Sequence, residues 1–297
     1  MEHINIRANA KINLTLDVLD RREDGYHNIN SVMQTLKLND RIFIKKIVNC
    51  KIKIVTNLPW LPVDNRNIVH KAINLIQQNY NINNGVFVEI TKNIPVSAGL
   101  AGGSADCSAV LIALRKLYDL KIPNKDLYAM GKELGADVPY CIMGGTVLAQ
   151  GIGEKLTKLP PHPPVHVLLV KPPISISTTA VYNNLDLATM PKRSDQEIEK
   201  MLEALKTKKL RAIAKSFYNS LEHNVIQKHP SIQTLKDIML KHKALGALMS
   251  GSGPTVFGYF VNRWDAISAM KEIGKYDRSI EEIHLTSIFN KKSSVLY

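Results

Sequence analysis

The clearest hydrophobic pattern of the chain runs from residue 4 to residue 18, where apolar and polar residues alternate without a break. This alternation is the period of a β-strand that buries one face. The apolar positions are Ile4, Ile6, Ala8, Ala10, Ile12, Leu14, Leu16 and Val18. The polar positions are Asn5, Arg7, Asn9, Lys11, Asn13, Thr15 and Asp17. We predict one long strand here, followed by a turn at Asp24-Gly25.

Strands and helices follow in mixed order along the rest of the chain, which predicts an α+β fold. Short apolar runs predict strands at 41–48, 50–56, 85–91, 143–149 and 165–171. Helical spacing predicts three helices in the first half of the chain: at 67–78, after the glycine-rich segment near 100, and between Pro123 and Gly135. It predicts four more at 195–207, 209–219, 231–242 and 263–274, and Ser194 is the predicted cap of the first of these four. The proline cluster at 160–164 predicts a boundary between domains 1–159 and 160–297.

A glycine-rich segment separates the strand at 85–91 from the helix that follows it. Its glycines Gly99, Gly102 and Gly103 allow backbone angles that other residues disfavour, and Ser104 is the predicted helix N-cap. Free amides and the positive end of the helix dipole favour an anion at such a place, although a tight turn before a capped helix gives the same pattern. No P-loop string occurs, and Leu156 replaces the third glycine of the dinucleotide fingerprint that would begin at Gly151.

Charge and cysteine content limit the classes of function. The 297 residues carry a formal net charge of +13, which attracts anions and fits a phosphorylated substrate as well as nucleic acid. The lysine-rich stretch at 206–215 is typical of a solvated helix face, and no aromatic-interleaved RNA-binding signature occurs. There are three cysteines, Cys50, Cys107 and Cys141. Their odd number argues against a disulfide framework, and their spacing is not that of a metal site. With no apolar segment of targeting or membrane-spanning length, we expect a cytoplasmic protein without membrane partners.

Three segments resemble, in order, the three motifs of the GHMP kinases, the superfamily of galactokinase, homoserine kinase, mevalonate kinase and phosphomevalonate kinase. They are ANAKINLTLDV at 8–18, PVSAGLAGGSA at 95–105 and GALMSGSGPTVFG at 246–258. The resemblance implies a two-domain GHMP kinase fold, with an N-terminal domain like domain 2 of ribosomal protein S5 and a ferredoxin-like C-terminal domain. It also implies an enzyme that transfers a phosphoryl group from ATP, with Mg²⁺, in the cleft between the domains.

Three further segments resemble one branch of this superfamily, which acts in the non-mevalonate route to isoprenoids. They are AKINLTLDVLDRREDGYHNINSVMQTL at 10–36, GADVPYCIMGGTVLAQGIGE at 135–154 and ISISTTAVY at 174–182. In that branch the acceptor is the small molecule 4-diphosphocytidyl-2-C-methyl-D-erythritol, which is phosphorylated on its 2-hydroxyl. The resemblance therefore implies a small-molecule substrate and no nucleic-acid partner, for a monomer or weak homodimer.

The resemblance also assigns roles to residues. Lys11 and Asp137 occupy the catalytic positions, with Asp137 as the proton acceptor. The nucleotide positions are Asn67, Lys92 and the loop Pro95, Val96, Ser97, Ala98, Gly99, Leu100, Ala101, Gly102, Gly103, Ser104 and Ala105, with Ser104 also placed near the metal. The acceptor positions are Asn13, Tyr26, His27, Thr178 and Tyr182, with the two tyrosines on opposite faces of the cytosine.

Each of these assignments has a structural alternative. From the pattern alone, Asp137 is an N-cap after a helix that ends at Gly135, and Lys11 is an exposed residue on the polar face of a strand. Asn67 is a helix cap, and an aromatic residue in a strand is usually part of the core. Two functional alternatives also stay open: a GHMP kinase that acts on homoserine or mevalonate, and a basic RNA-binding protein.

Overall fold

The structure, a computed structural model, describes residues 2–48, 51–185 and 195–290, so that Cys50 and Ser194 lie outside the described residues. The predicted long strand is confirmed as β1 (His3–Arg21), which pairs antiparallel with β2 (His27–Ile47). The register shifts between Asn9 and Lys11, and again between Asn13 and Thr15. Such shifts mark bulges, which bend a strand and re-aim its side chains beside active sites. The strand predicted at 41–48 covers only the last third of β2.

The first sheet has seven strands. Its other members are β3 (Ile52–Thr56), β4 (Gly85–Thr91), β5 (Thr146–Gly151), β6 (Lys155–Lys158) and the two-residue β8 (Tyr218–Asn219). The strand order is β3-β4-β2-β1-β8, and β5 pairs with β2 and β6. Because β8 pairs in parallel with β1 at Thr15 and Leu16, a segment from the second half of the chain joins the first sheet beside the first motif.

The first half of the chain also contains four helices, of which α2 packs directly against β1 and β2: α1 (Ile68–Asn79), α2 (Gly102–Leu117), α3 (Asn124–Leu134) and α4 (Val138–Met143). Helix α2 lies in the centre of the core, and every residue from Ala105 to Leu114 is buried. The prediction that Ser104 caps α2 is wrong, because the helix begins at Gly102 and its N-cap residue is Ala101 in a left-handed conformation. Ser104 is therefore free to face the cleft described below.

The second sheet is antiparallel and consists of β7 (His166–Lys171), β9 (Gly246–Met249), β10 (Val256–Phe260) and β11 (Glu282–Ser287), in the order β11-β7-β10-β9. This is the strand order of a ferredoxin-like βαββαβ unit. The remaining helices are α5 (Thr178–Asn183), α6 (Asp195–Lys206), α7 (Leu210–Lys215), α8 (Glu222–Lys228), α9 (Ser231–Lys241) and α10 (Arg263–Tyr276). None of the described helices is long and apolar enough to cross a bilayer.

Candidate active site

A cleft of about 1070 Å³ lies where the first motif, the glycine-rich loop and the third motif come together. This volume lies just above the roughly 300–1,000 Å³ that is typical of small-molecule sites. All but two of the residues assigned to the site from the sequence line this cleft. The two exceptions are Leu100 and Ala105, which are each 1% exposed and belong to the hydrophobic core.

Direct contacts join the three motifs. The backbone amide of Lys11 donates a hydrogen bond to the carbonyl oxygen of Leu100 over 3.1 Å. The hydroxyl of Ser250 donates to the carbonyl oxygen of Gly99 over 3.0 Å. A Cβ atom on Gly251 would lie 3.4 Å from Oδ1 of Asn13. Segments that are up to 240 residues apart in the sequence therefore form one continuous surface.

Lys11 and Asp137 face each other in this cleft, with Nζ of Lys11 3.5 Å from Oδ2 of Asp137. The Lys11 side chain is 6% exposed, so the alternative of an exposed strand lysine is wrong. Asp137 occupies the N-cap position of α4, but its carboxylate makes no capping hydrogen bond and is 32% exposed. A carboxylate left free by its helix and held beside an ammonium group is suited to accept a proton from a bound hydroxyl.

The ammonium group of Lys11 is held by a chain of buried hydrogen bonds. It donates to Oδ1 of Asn13 over 2.7 Å, and the Asn13 amide donates to the Ser31 hydroxyl over 2.8 Å. Ser31 donates in turn to the carbonyl oxygen of Thr15 over 2.6 Å. Asn13 and Ser31 are 2% and 0% exposed, so this network fixes the direction in which Lys11 points. No sequence pattern pointed to Ser31, because its partners lie on the adjacent strand.

The loop predicted to bind phosphate, residues 95–105 and called the phosphate loop below, enters α2 through three residues with positive φ: Ser97 at 53°, Gly99 at 73° and Ala101 at 55°. Alternating conformations of this kind turn successive backbone amides toward one side, which makes an anion-binding concavity at the positive end of a helix. Gly103 lines the cleft, and a Cβ atom there would meet only Ile68, at 3.9 Å. The loop therefore presents its backbone to the cleft with little side chain in the way.

At the other end of the cleft the ring of Tyr182 lies 5.4 Å from that of His27, at an angle of 39°. Tyr26 is 58% exposed at the rim. Burial lowers the pKa of His27, and the positive charge of Arg21 lowers it further, so the imidazole is neutral at pH 7. Burial raises the pKa of the Tyr182 hydroxyl, and the negative charge of Asp137 adds to that shift. This end thus offers neutral, ring-shaped groups.

The loop of the third motif, residues 250–253, is held over the cleft by residues from two other elements. Thr178 and Ser252 share a hydrogen bond between their hydroxyl oxygens over 2.7 Å. Asn219, on β8, donates to the carbonyl oxygens of both Met249 and Gly251, over 2.9 and 2.8 Å. Sequence reasoning did not identify Asn219, since it was placed at the end of a helix predicted at 209–219, whereas the observed helix ends at Lys215 and Asn219 lies on β8.

Asn67 and Lys92, which the resemblance placed near the nucleotide, both line the cleft but are already bonded within the protein. Asn67 caps α1, with Oδ1 accepting from the amide of Val69 and Nδ2 donating to the carbonyl oxygen of Pro62. Burial alone would lower the pKa of Lys92, but the carboxylates of Asp106 and Asp40 outweigh burial and raise it. Lys92 therefore stays charged.

Comparison with known proteins agrees with this geometry. Residues 67–145 match the GHMP kinases N terminal domain, and residues 201–276 match the GHMP kinases C terminal domain. A 4-diphosphocytidyl-2-C-methyl-D-erythritol kinase of Caldicellulosiruptor saccharolyticus is 46% identical over 95% of this chain and 96% of its own length.

Two solved structures show the same fold. A crystal structure of a 4-(cytidine 5'-diphospho)-2C-methyl-D-erythritol kinase superposes with a TM-score of 0.81, at 30% identity over 97% of this chain and all of the other. A homoserine kinase from Cytophaga hutchinsonii, 20% identical over 100% of this chain and 98% of the other, has a TM-score of 0.76 and shares the fold alone. The α+β, two-domain GHMP kinase fold expected from the sequence is thus confirmed, while the boundary after residue 159 stays a prediction. This chain belongs to the GHMP kinases and, within them, to the family of the 4-diphosphocytidyl-2-C-methyl-D-erythritol kinases.

Proposed function

We propose that this enzyme transfers the γ-phosphoryl group of ATP to the 2-hydroxyl of 4-diphosphocytidyl-2-C-methyl-D-erythritol, giving the 2-phosphate and ADP, as a step of the non-mevalonate route to isoprenoids. The observation that carries the proposal is the distribution of groups along one cleft. An anion-binding loop, the Lys11–Asp137 pair and the neutral ring end of His27 and Tyr182 all line it. In order, these three parts suit the phosphates of a nucleotide donor, a reacting hydroxyl group and a cytosine ring.

In this proposal Asp137 accepts the proton of the 2-hydroxyl as its oxygen attacks the γ-phosphorus. The bond between the γ-phosphorus and the bridging oxygen breaks, and ADP leaves with that oxygen. Lys11, at 3.5 Å, pairs with the Asp137 carboxylate and offsets negative charge on the transferring group. The Asn13–Ser31 hydrogen bonds hold the ammonium in place during this step, which favours catalysis by positioning.

Magnesium is proposed as the companion of ATP. Over residues 2–48, 51–185 and 195–290, no three His, Cys, Asp or Glu side chains lie close enough together to hold a metal by themselves. This fits Mg²⁺, which usually keeps several waters and binds through substrate phosphates plus one or two protein oxygens. The hydroxyl of Ser104, on the first turn of α2 and on the cleft wall, is the protein oxygen that we assign to it. When bound, Mg²⁺ supplies neutralisation of phosphate charge.

The base end of the cleft predicts the effect of Tyr182→Ala. We expect this change to weaken binding of the cytidine substrate by about 1 to 3 kcal/mol, the contribution of one stacking contact, and to leave ATP affinity nearly unchanged. Calorimetric titration with each substrate measures both quantities. Tyr276→Ala is the matched control, because Tyr276 is 48% exposed at the end of α10 and does not line the cleft. An equal loss for both substrates would contradict the assignment.

The phosphate end predicts the effect of Gly103→Val. The side chain can be accommodated, since a Cβ atom there meets only Ile68 at 3.9 Å, but it occupies the space above the loop backbone. We expect the affinity for a fluorescent ATP analogue to fall at least about tenfold, because the phosphates can no longer approach the amides. Gly274→Val on α10, where a Cβ atom meets nothing within 4 Å, serves as the control. An unchanged affinity would mean that the loop is only a turn.

The substrate assignment is tested by ADP release with three acceptors at equal concentration: the cytidine substrate, homoserine and mevalonate. We expect turnover with the first alone, because the other two offer no ring to the His27–Tyr182 end. Comparable rates with homoserine or mevalonate would overturn the substrate while leaving a GHMP kinase. A filter-binding assay with mixed RNA, run beside it, tests the RNA-binding alternative that the net charge of +13 left open.

We also propose that the enzyme acts in the cytoplasm as a monomer or weak homodimer. Cys107 is a buried thiol, as is usual for a cysteine of a protein in a reducing compartment. Sedimentation at several protein concentrations measures the oligomeric state.

A further inference from the structure

Two carboxylates and one ammonium group form a buried cluster directly behind the phosphate loop. Nζ of Lys92 donates to Oδ2 of Asp40 and, over 2.7 Å, to Oδ2 of Asp106. The three side chains are between 0% and 5% exposed. Oδ1 of Asp106 is buried and has no hydrogen-bond partner among the described residues. Charged groups are rarely buried this deeply unless they are paired. Here two carboxylates share one ammonium group, so one negative charge has no opposite charge of its own within the cluster.

The cluster touches the chain on both sides of the phosphate loop. On the side before the loop, Oδ1 of Asp40 accepts hydrogen bonds from the backbone amides of Asn93, over 2.5 Å, and Ile94, over 2.8 Å. On the side after the loop, Asp106 lies in the first turns of α2, and a Cβ atom on Gly102 would come within 3.3 Å of Nζ of Lys92. Asp40 itself lies on β2 and does not line the cleft.

We propose that Asp40, Lys92 and Asp106 form a positioning cluster that holds the two ends of the phosphate loop together on β2, and that ATP affinity depends on it through the shape of the loop. Lys92 then acts on the nucleotide through the loop rather than as a phosphate ligand. With its ends fixed, the loop does not have to be ordered when the nucleotide binds, and preorganisation of this kind increases affinity. The inference rests on the kinase function proposed above.

Asp40→Asn separates the two roles of Lys92. The substitution keeps an oxygen for the amides of Asn93 and Ile94 but places an NH₂ group against the ammonium of Lys92. It leaves Lys92 paired with Asp106, so that the one remaining positive charge and the one remaining negative charge of the cluster neutralise each other. If the cluster positions the loop, the nucleotide binds more weakly. If Lys92 were a phosphate ligand, its release from Asp40 would leave affinity unchanged or raise it.

The experiment is a titration with a fluorescent ATP analogue in the absence of acceptor. We expect Asp40→Asn to raise the Kd of the analogue about tenfold, the size typical of one charged hydrogen bond, while affinity for the cytidine substrate stays within about twofold. Asp119→Asn is the matched control: Asp119 follows α2, its ion pair with Lys121 is exposed, and asparagine tolerates its positive φ of 50°. An unchanged or lower Kd for Asp40→Asn overturns the proposal, as does an equal loss for both substrates.

Asp106→Asn keeps the proposal testable if Asp40→Asn does not fold. This variant retains one oxygen for Lys92, so we expect a smaller rise in the Kd of the analogue, about two- to threefold, and a thermal unfolding midpoint near that of wild type. An unchanged Kd in a folded variant contradicts the positioning role. Because the titration needs no acceptor, its outcome does not depend on the proposed substrate. The substrate proposal fails separately, if the wild-type protein binds the analogue but does not phosphorylate the cytidine substrate.

Discussion

Asp137→Asn is expected to lower turnover by about 10²- to 10⁴-fold, the range over which general-base catalysis contributes. The amide keeps the shape of the carboxylate but cannot accept the hydroxyl proton. Because the Asp137 carboxylate caps no helix and is 32% exposed, its replacement removes little that stabilises the fold. Affinity for ATP is expected to survive, since the phosphate loop is formed by other residues. Steady-state ADP release, combined with nucleotide titration, measures both effects.

A matched control exists elsewhere in the chain. Asp265 pairs with Lys243 at 3.6 Å and is 29% exposed, against 3.5 Å and 32% for Asp137 with Lys11. Asp265→Asn therefore makes the same chemical change at a carboxylate of similar exposure and ion-pair distance that does not line the cleft, while its partner Lys243 is 78% exposed and Lys11 is 6% exposed. Normal turnover in this control together with normal turnover in Asp137→Asn would remove Asp137 from the mechanism.

The alternation in the first strand predicted its length well but not the environment of its polar face. Ile4 and Ile6 are buried as expected, while Lys11, Asn13 and Thr15, on the face predicted to be polar, are buried as well. A second layer covers that face: the phosphate loop and the third-motif loop lie over it, and β8 pairs with its far end. A local pattern indicates which residues share a face, but only the complete fold determines what covers it.

The sequence motif predicted a phosphate loop at residues 95–105, and the fold shows how the parts of this loop are arranged. Ser104 was expected to cap α2, but Ala101 takes the left-handed N-cap conformation instead and leaves the Ser104 hydroxyl at the cleft. Lys11 and Asp137 are 126 residues apart, so their 3.5 Å separation follows from the packing of α4 against the strand and from no property of either segment alone.

The residues that sequence reasoning missed act on backbone groups far away in the chain. Asp40 bonds the amides that precede the phosphate loop from 53 and 54 positions away, and Asn219 bonds carbonyl oxygens 30 and 32 positions away. Neither residue belongs to a motif. Every residue type has a backbone amide and carbonyl group, so the sequence of the bonded segment does not indicate which side chain binds it. Asp106 carried the one usable signal, as an acidic residue among the apolar positions of a buried helix.

Gly99→Ala is expected to reduce kcat/KM for ATP on the order of 10²-fold, the effect that a displacement of about 1 Å in a reacting group can have. Gly99 has a φ of 73°, and a Cβ atom on it would lie 2.1 Å from the carbonyl oxygen of Ser250. No rotamer relieves this contact, since both atoms belong to or adjoin the backbone. Either the phosphate loop or the third-motif loop has to move, and the hydrogen bond from Ser250 to Gly99 breaks.

Gly145→Ala distinguishes the collision from the strain of a left-handed alanine. Gly145 has a φ of 87°, but a Cβ atom on it meets nothing within 4 Å, and the residue does not line the cleft. We expect both variants to lose about 1 to 2 kcal/mol of stability from the left-handed conformation, measured by denaturant unfolding. Only Gly99→Ala should also lose kcat/KM for ATP, because only there does the added methyl group force the second and third motifs apart. Equal kcat/KM in the two variants would show that contact between these motifs does not matter for phosphoryl transfer.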